Sequence, residues 1–372
     1  MKTIRRLIYG EILMTTAFVL VAFLALFFFF DFVEELPSLG KPSRLQPEVV
    51  YGLRHALMYV ALLIPNHVYE LMPITVLIGT IAVMARLAKG SEYTILRTSG
   101  LGPWRALRTL LGLGLIFVVV TFATGDYVAP FADKTAQLLQ ARYQGRLSLG
   151  QTGAWLKERQ PESNFSVNVG SLSPQGGLGE VRIFEFDPAG RLISTMEAQN
   201  GQIGTDGAWQ LNEVYRREFG TTAKPQARIE TANLDSFRWP SSISTEMVSV
   251  ALLKPERMRT ADLYAYIRHL DNNGQSAQAY EIEFWRKVFY PLSCLVMVVL
   301  ALPFAYLHFR SSGITGYVFG GVMIGISFFL LNNVFGYIGN LNHWEPWLAA
   351  ASPALIYTLI SLGAFGWLVL RR

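Results

Sequence analysis

Leu7-Ile-Tyr-Gly-Glu-Ile-Leu-Met-Thr-Thr-Ala-Phe-Val-Leu-Val-Ala-Phe-Leu-Ala-Leu-Phe-Phe-Phe-Phe30 decides the fold. Its one charged side chain is Glu11, near the start. At about 1.5 Å per residue the run is long enough to cross a hydrocarbon core of ~30 Å. Inside lipid every backbone N–H and C=O must be bonded within the segment, so the run is read as a helix. Lys2, Arg5 and Arg6 ahead of it give it the look of a secretory signal. It is too long for a signal core, however, and Asp31-Phe-Val-Glu-Glu35 follows in place of a small-x-small cleavage pattern, so it is expected to be an uncleaved anchor. Five further stretches of this kind run over His55–Ala85, Trp104–Gly125, Phe284–Phe309, Ile314–Ile338 and Trp347–Leu370. The layout is three helices, a polar insert of about 150 residues, and three helices.

Charge orients the chain. With both termini and the short loops 86–108 and 308–313 on one side, that side holds eleven Lys and Arg against Glu11 and Glu92. The opposite helix ends are acid-rich, with Asp31, Glu34, Glu35, Glu48, Glu70 and Asp126 among them. The positive-inside rule then makes both termini cytoplasmic and the insert extracytoplasmic. The net charge of +5 is no sign of nucleic acid, because residues 127–279 carry sixteen basic and sixteen acidic side chains. The excess is topology signal, and no basic stripe with interleaved aromatics occurs. The single cysteine, Cys294, lies in the fourth helix, so the insert folds without disulfides and has the length to bury a core unaided. Thiolate metal sites are excluded, and the five histidines never fall at ligand spacing.

Period-two alternation recurs through the insert: Trp155-Leu-Lys157, Phe165–Val169, Val181–Phe186, Leu192–Met196, Trp209–Val214 and Ala227–Thr231. Asp187-Pro-Ala-Gly190 and Asp206-Gly207 are hairpin turns, since Pro presets φ and Gly accepts φ > 0. Such strands predict an antiparallel sandwich or jelly roll. Residues 127–146 and 255–280 lack alternation and carry helical patterns, such as Ala261–Leu270. A plain folded spacer is one reading of this domain. An open β-structure holding an acyl chain, or receiving a partner strand at its edge, is the other.

Catalytic patterns are absent. There is no GxxxxGK[ST], HExxH, GxSxG or DFG. Thr124-Gly-Asp126 lacks the second intramembrane aspartate of an aspartyl protease, and Gly325-Ile-Ser327 lacks a histidine base. The cytoplasmic loop is more informative. In Arg86-Leu-Ala-Lys-Gly-Ser-Glu-Tyr-Thr-Ile-Leu-Arg-Thr-Ser-Gly100, Ser91 is suited to cap a short helix whose positive end Glu92 complements. Thr98-Ser-Gly100 stops it and Pro103 opens the next helix. The result is a two-turn amphipathic helix over about 91–99, with Ile95 and Leu96 available for burial. It is either a bland interfacial helix or a coupling helix docked on a cytoplasmic ATPase.

That loop resembles the one in the LptF/LptG permeases of the lipopolysaccharide exporter. Gly125-Asp-Tyr-Val-Ala-Pro130 is similar to their exit from helix three, and Lys287-Val-Phe-Tyr-Pro-Leu-Ser293 with Leu300-Ala-Leu-Pro-Phe304 to their fourth helix. The opening Met1-Lys-Thr-Ile4 and Phe29-Phe-Asp-Phe-Val-Glu-Glu35 look more like the LptG side than the LptF side. The resemblance implies a six-helix membrane protein with an inserted all-β, jelly-roll-like periplasmic domain. Its divisions are 1–126, 127–279 and 280–372. It also implies a Gram-negative inner membrane and a half-permease paired with an LptF-type permease. The other partners implied are an LptB-type ATPase dimer that uses ATP and Mg, an LptC-type single-helix subunit and an LptA-type periplasmic bridge. This chain itself would bind no cofactor or metal and catalyse nothing. The cargo would be lipopolysaccharide, taken from the outer leaflet of the inner membrane.

By the same analogy Glu92, Tyr93, Ile95, Leu96 and Arg97 couple to the ATPase. Helices one and five wall the lateral gate and substrate cavity, through Phe23, Leu26, Phe27, Phe30, Phe319, Ile326 and Phe329. Gly313, Gly316, Gly320, Gly321 and Gly325 on helix five permit close contacts that can part; tight bundle packing and lipid exposure are the plain alternatives. One departure stands out. LptG relatives place basic residues just beyond helix one, whereas Asp31, Glu34 and Glu35 stand here. Lipid phosphate would then fall to Lys41, Arg44 or Arg54, or be bridged to the acids by divalent cations. Glu70 is expected to line the cavity or to pair with Arg286 or Lys287, and Pro291 and Pro303 to kink helix four. A membrane scaffold or assembly anchor would share this topology but would not need the helix at 91–99.

Overall fold

The computed structural model describes residues 2–41, 50–90, 92–98, 100, 102–144, 153–173, 176–204, 207–219, 229–252, 255–306 and 314–367. By packing the chain divides into two units. The first comprises residues 1–37, 60–133 and 278–372, the second 38–59 and 134–277.

The first unit is a helical bundle. Among the described residues five helices are long and apolar enough to cross a membrane: α1 (Lys2–Glu35), α2 (Leu53–Lys89), α4 (Pro103–Ala123), α10 (Ile314–Leu341) and α11 (Pro346–Phe365). Between α2 and α4 lies the short α3 (Glu92–Thr98). A sixth crossing is a broken one, α8 (Gln278–Phe289) followed by α9 (Ser293–Ala301), bent by 46°. The expected kink at Pro291 is therefore a break. Proline offers no N–H to the ladder, and the chain turns through Tyr290–Leu292 with Ser293 N–H donating to Tyr290 O at 3.0 Å. Pro303 lies in a 3-10 turn, Leu302–Tyr306. Pro65 and Pro73 leave α2 continuous.

α2 is the centre of the bundle, with every residue from Leu71 to Ile81 buried. One apolar cluster joins it to α1, α4 and α9 through Ile12, Val76, Leu113 and Val298. A second joins Leu77 and Ile81 to Met297, Phe328 and Tyr357. After α4 the helix passes through a π-turn, Thr124–Val128, into α5 (Ala129–Gln144).

The second unit is built on a six-stranded antiparallel sheet: β1 (Ala154–Arg159), β2 (Asn164–Leu172), β3 (Gly177–Phe186), β4 (Leu192–Ile203), β5 (Trp209–Glu218) and β6 (Glu230–Trp239). Each strand pairs with the next, in simple up-and-down order. The predicted turns are present, with Gly190 at φ +80° and Gly207 at φ +82°; Asp206 lies outside the described residues. β6 begins at Glu230 and continues eight residues past the predicted Thr231. Its side chains are exposed or half-buried on both faces except at Trp239, so no alternation marked it.

The sheet is creased. The rows Val169–Val181–Ala198–Val214 and Leu172–Leu178–Gly201–Leu211 both face inward and run in register across β2–β5. They are three residues apart, where an unbroken strand keeps one face every two. The extra residue falls at Gly170, Glu180, Gln199 and Glu213, and Glu180 and Glu213 take up the change of phase at φ +53°. On the buried side Trp209 is fully buried, donates to Ile243 O at 2.9 Å and meets Trp239 edge-on. Helices α6 (Thr245–Leu252) and α7 (Thr260–Asn272) bury Val248, Leu263 and Leu270. Beyond α7, Asn273 and Gln275 accept the Arg159 and Lys157 N–H groups at 2.9 and 3.3 Å, so the free edge of β1 is capped by side chains.

Candidate functional site

α3 is a two-turn helix with two different faces. Tyr93 is buried, its ring edge-on to Tyr306 at 5.2 Å and its hydroxyl 3.1 Å from that of Tyr306. Leu96 is half-buried against the same cluster, while Glu92 and Ile95 are exposed, Ile95 by 62%. Of the expected coupling set, Tyr93 and Leu96 thus anchor the helix, and Glu92 and Ile95 are presented outward. Ser91 and Ser99 lie outside the described residues, as does the Arg97 side chain. At the C-terminal end Thr98 Oγ1 donates to Ile95 O, and Gly100 at φ +101° turns the chain so that Arg105 reaches its carbonyl at 3.0 Å.

The two expected wall helices are the least committed of the bundle. Only 11% of the most apolar stretch of α1 and 22% of that of α10 is buried, against 83% for α2. From Ala17 to Glu34 no residue of α1 is buried. Phe23 is half-buried, Leu26 and Phe30 are exposed, and Phe27 lies 4.8 Å from the His67 ring. On α10 Phe319, Met323, Ile326, Leu330, Val334, Tyr337 and Leu341 form one exposed stripe at spacings of three and four; Phe329 is half-buried beside it. Gly321 and Gly325 face the other way, where a Cβ would come within 2.8 Å of Ile81 Cδ1 and 3.0 Å of Ile74 Cγ2. Gly316 and Gly320 face open space, and Gly313 is outside the described residues.

α1 is held to its neighbours by a few specific contacts. Gly79 of α2 lets the Thr16 backbone approach, Tyr9 donates to Thr109 O at 2.8 Å, Arg86 pairs with Glu11, and His67 Nε2 meets Asp31 at 2.7 Å. Sequence reasoning missed the His67–Asp31 pair, and a heptad-like count across two antiparallel helices would be needed to find it.

The polar groups of α8 are used differently from expectation. Glu70 accepts from Asn66 at 2.9 Å and, among the described residues, is in no ion pair with Arg286 or Lys287. Arg286 instead pairs with Glu283 one turn away and donates to Asn333 of α10, and Lys287 donates to Gly125 O at the π-turn. Lys41 and Arg54 are exposed in the second unit, where Gly40 and Lys41 bridge the Tyr51 backbone; Arg44 lies outside the described residues. No three His, Cys, Asp or Glu side chains among the described residues are placed to hold a metal ion.

The profile of the family described as lipopolysaccharide export system permease LptF/LptG matches residues 6–371. The chain belongs to the LptF/LptG family. The LptG permease of Escherichia coli K12 is 28% identical over 363 residues, covering 97% of this chain and 95% of that protein. The LptG permease of Haemophilus influenzae is 26% identical over 374 residues, covering 100% and 99%. A permease subunit of a lipopolysaccharide export system accounts for the membrane helices with a β-domain inserted between the third and fourth. Of the acids in the last turns of α1, Asp31 meets His67 and Glu35 is buried.

Proposed function

We propose that this chain is the LptG-type half of the permease, paired with an LptF-type half. Two copies of an LptB-type ATPase bind beneath it, using ATP and Mg, and an LptC-type subunit and an LptA-type bridge take the cargo onward. In this reading both termini are cytoplasmic and the β-domain is periplasmic, in a Gram-negative inner membrane. The chain performs no chemistry of its own. It turns the ATPase cycle into collapse of a cavity that has taken lipopolysaccharide from the outer leaflet.

The observation that carries the reading is the two-faced α3. A helix anchored by Tyr93 while Glu92 and Ile95 point outward is fit to transmit a push without itself yielding. The sparse burial of α1 and α10 supports their role as walls, with Phe23, Leu26, Phe27, Phe30, Phe319, Ile326 and Phe329 toward acyl chains. Lys41, Arg44 and Arg54 are the candidates for lipid phosphate.

Affinity purification of the chain in mild detergent tests this directly. A soluble ATPase and a second six-helix permease should come with it, and Glu92→Arg should release the ATPase while leaving the permease pair intact. Recovery of periplasmic assembly factors with no ATPase would point to a scaffold and overturn the reading.

A further inference from the structure

The exposed face of the sheet carries a cluster that coupling and cavity leave unused. Directly opposed residues of antiparallel strands share a face. The registers Trp155↔Asn168↔Arg182 and Lys157↔Ser166↔Phe184 therefore place two aromatics and two cations at the corners of a square centred on β2. Trp155 is 50% exposed, and its ring lies 5.9 Å from that of Phe184, the planes 23° apart. Lys157 and Arg182 are exposed, and neither is in an ion pair among the described residues. The acids nearby are engaged elsewhere. Glu197, opposite Arg182, lies 3.8 Å from Arg217 on the next strand, and Glu180 folds over Gly170, where a Cβ would stand 3.3 Å from its Oε2. Ser166, between the two rings' strands, presents a hydroxyl that can donate and accept.

A protein-binding patch of this size would be expected to place its charges at the rim and to carry few lysines. Here the cations alternate with the aromatics around the centre, so the occupant must supply both an apolar face and anions. A phosphorylated sugar does so: the C–H face of a pyranose ring packs on an indole or phenyl ring, and phosphate takes charge-assisted hydrogen bonds from Arg and Lys. We propose that Trp155, Phe184, Lys157 and Arg182 bind the phosphorylated saccharide headgroup of the glycolipid that this permease carries. The proposal rests on the transport reading above and deepens it by giving the polar part of the cargo its own site on the outside of the sheet.

The test uses the full chain in lipid nanodiscs. The probe is fluorescently labelled lipopolysaccharide oligosaccharide, fully deacylated but with its phosphates retained, read by anisotropy; the same oligosaccharide after phosphatase treatment is the control, and intact lipopolysaccharide is titrated in parallel. Wild-type chain should bind the phosphorylated oligosaccharide and lose it on phosphatase treatment. Trp155→Ala and the double change Lys157→Glu with Arg182→Glu should each weaken it by about tenfold or more, while Trp155→Phe, which keeps a ring, stays within about threefold. The three positions changed are exposed, and unchanged melting midpoints would show that the variants are folded. If intact lipopolysaccharide binds but the oligosaccharide does not, or binds the variants as tightly as wild type, this proposal fails and the transport reading stands. If intact lipopolysaccharide fails to bind wild type, both fall. Protection of Trp155 by a periplasmic protein, with no effect of the oligosaccharide, would assign the patch to a protein partner and overturn the proposal.

Discussion

Ile95→Ala should loosen the ATPase without loosening the chain. Ile95 is 62% exposed on α3, whereas Tyr93, two residues before it, is 3% exposed. Full burial of an isoleucine side chain is worth about 1.5–3 kcal/mol. Covering the exposed part of this one in a docking groove is therefore worth about 1–2 kcal/mol, and its removal should weaken association about 5- to 30-fold. The measurement is a titration of purified ATPase against the permease pair in nanodiscs, with ATP turnover followed in the same samples. Tyr93→Ala is the contrast. It removes a buried ring and its contact with Tyr306, at a cost of about 3–5 kcal/mol to the bundle itself. It should lower the melting midpoint of the chain before any ATPase is added. An Ile95→Ala permease that binds the ATPase within about twofold of wild type would refute the assignment of this face to coupling.

Two further substitutions probe the packing. Gly79→Val should lower the melting midpoint in detergent and impair export, because the new Cβ would lie 2.8 Å from Thr16 Cα and 2.9 Å from its N; backbone cannot step aside, and overpacking of this kind costs about 1–3 kcal/mol. An unchanged midpoint would mean that α1 does not rest on α2 there. His269, buried on α7, has its pKa lowered from 6.5 by burial, in part offset by Glu158. As pH falls below about 6.5 the unfolded chain takes up a proton that the folded chain resists, so stability drops toward the folded-state pKa. His269→Gln should flatten that decline in urea melts between about pH 8 and pH 5, and equal slopes for variant and wild type would contradict it.

The helices were legible because a membrane demands some twenty apolar residues in a row, a signal that needs no knowledge of neighbours. The strands were legible where one face is buried against the other, as in Phe165–Val169. The crease was not. Trp209 and Leu211 share one phase and Val214 the other, and in a sequence that looks like an imperfect strand. Only the alignment of four such breaks across β2–β5 shows a fold line. β6 escaped for the opposite reason, since neither of its faces is covered and nothing alternates. In the candidate site, α3 was recognisable from its ends, but its facing was not. Tyr93 turns inward because Tyr306, 213 residues later, is there to receive it. The partners of Arg286 and Lys287 were not legible because depth in the membrane is readable from hydropathy and azimuth around the helix is not.

The ties on α1 would let a helix so little buried serve as the proposed wall. Among the described residues its polar ties to α2 include the Glu11–Arg86 ion pair and the Asp31–His67 hydrogen bond, twenty residues apart on α1 and nineteen on α2. At about 1.5 Å per residue both spacings come to about 30 Å, the thickness of the hydrocarbon core. The two ties are therefore separated by about the thickness of a hydrocarbon core, and the stretch of α1 between them carries no charged side chain. Pairs at both ends fix the depth and direction of α1 against α2. They place few demands on the face between, where no residue after Thr16 is buried until Glu35. A segment with few buried contacts lies at the low end of local stability, as elements that move must. A cavity wall that opens sideways to lipid needs this combination: an apolar face left uncommitted, and ends that keep the helix from leaving the bundle.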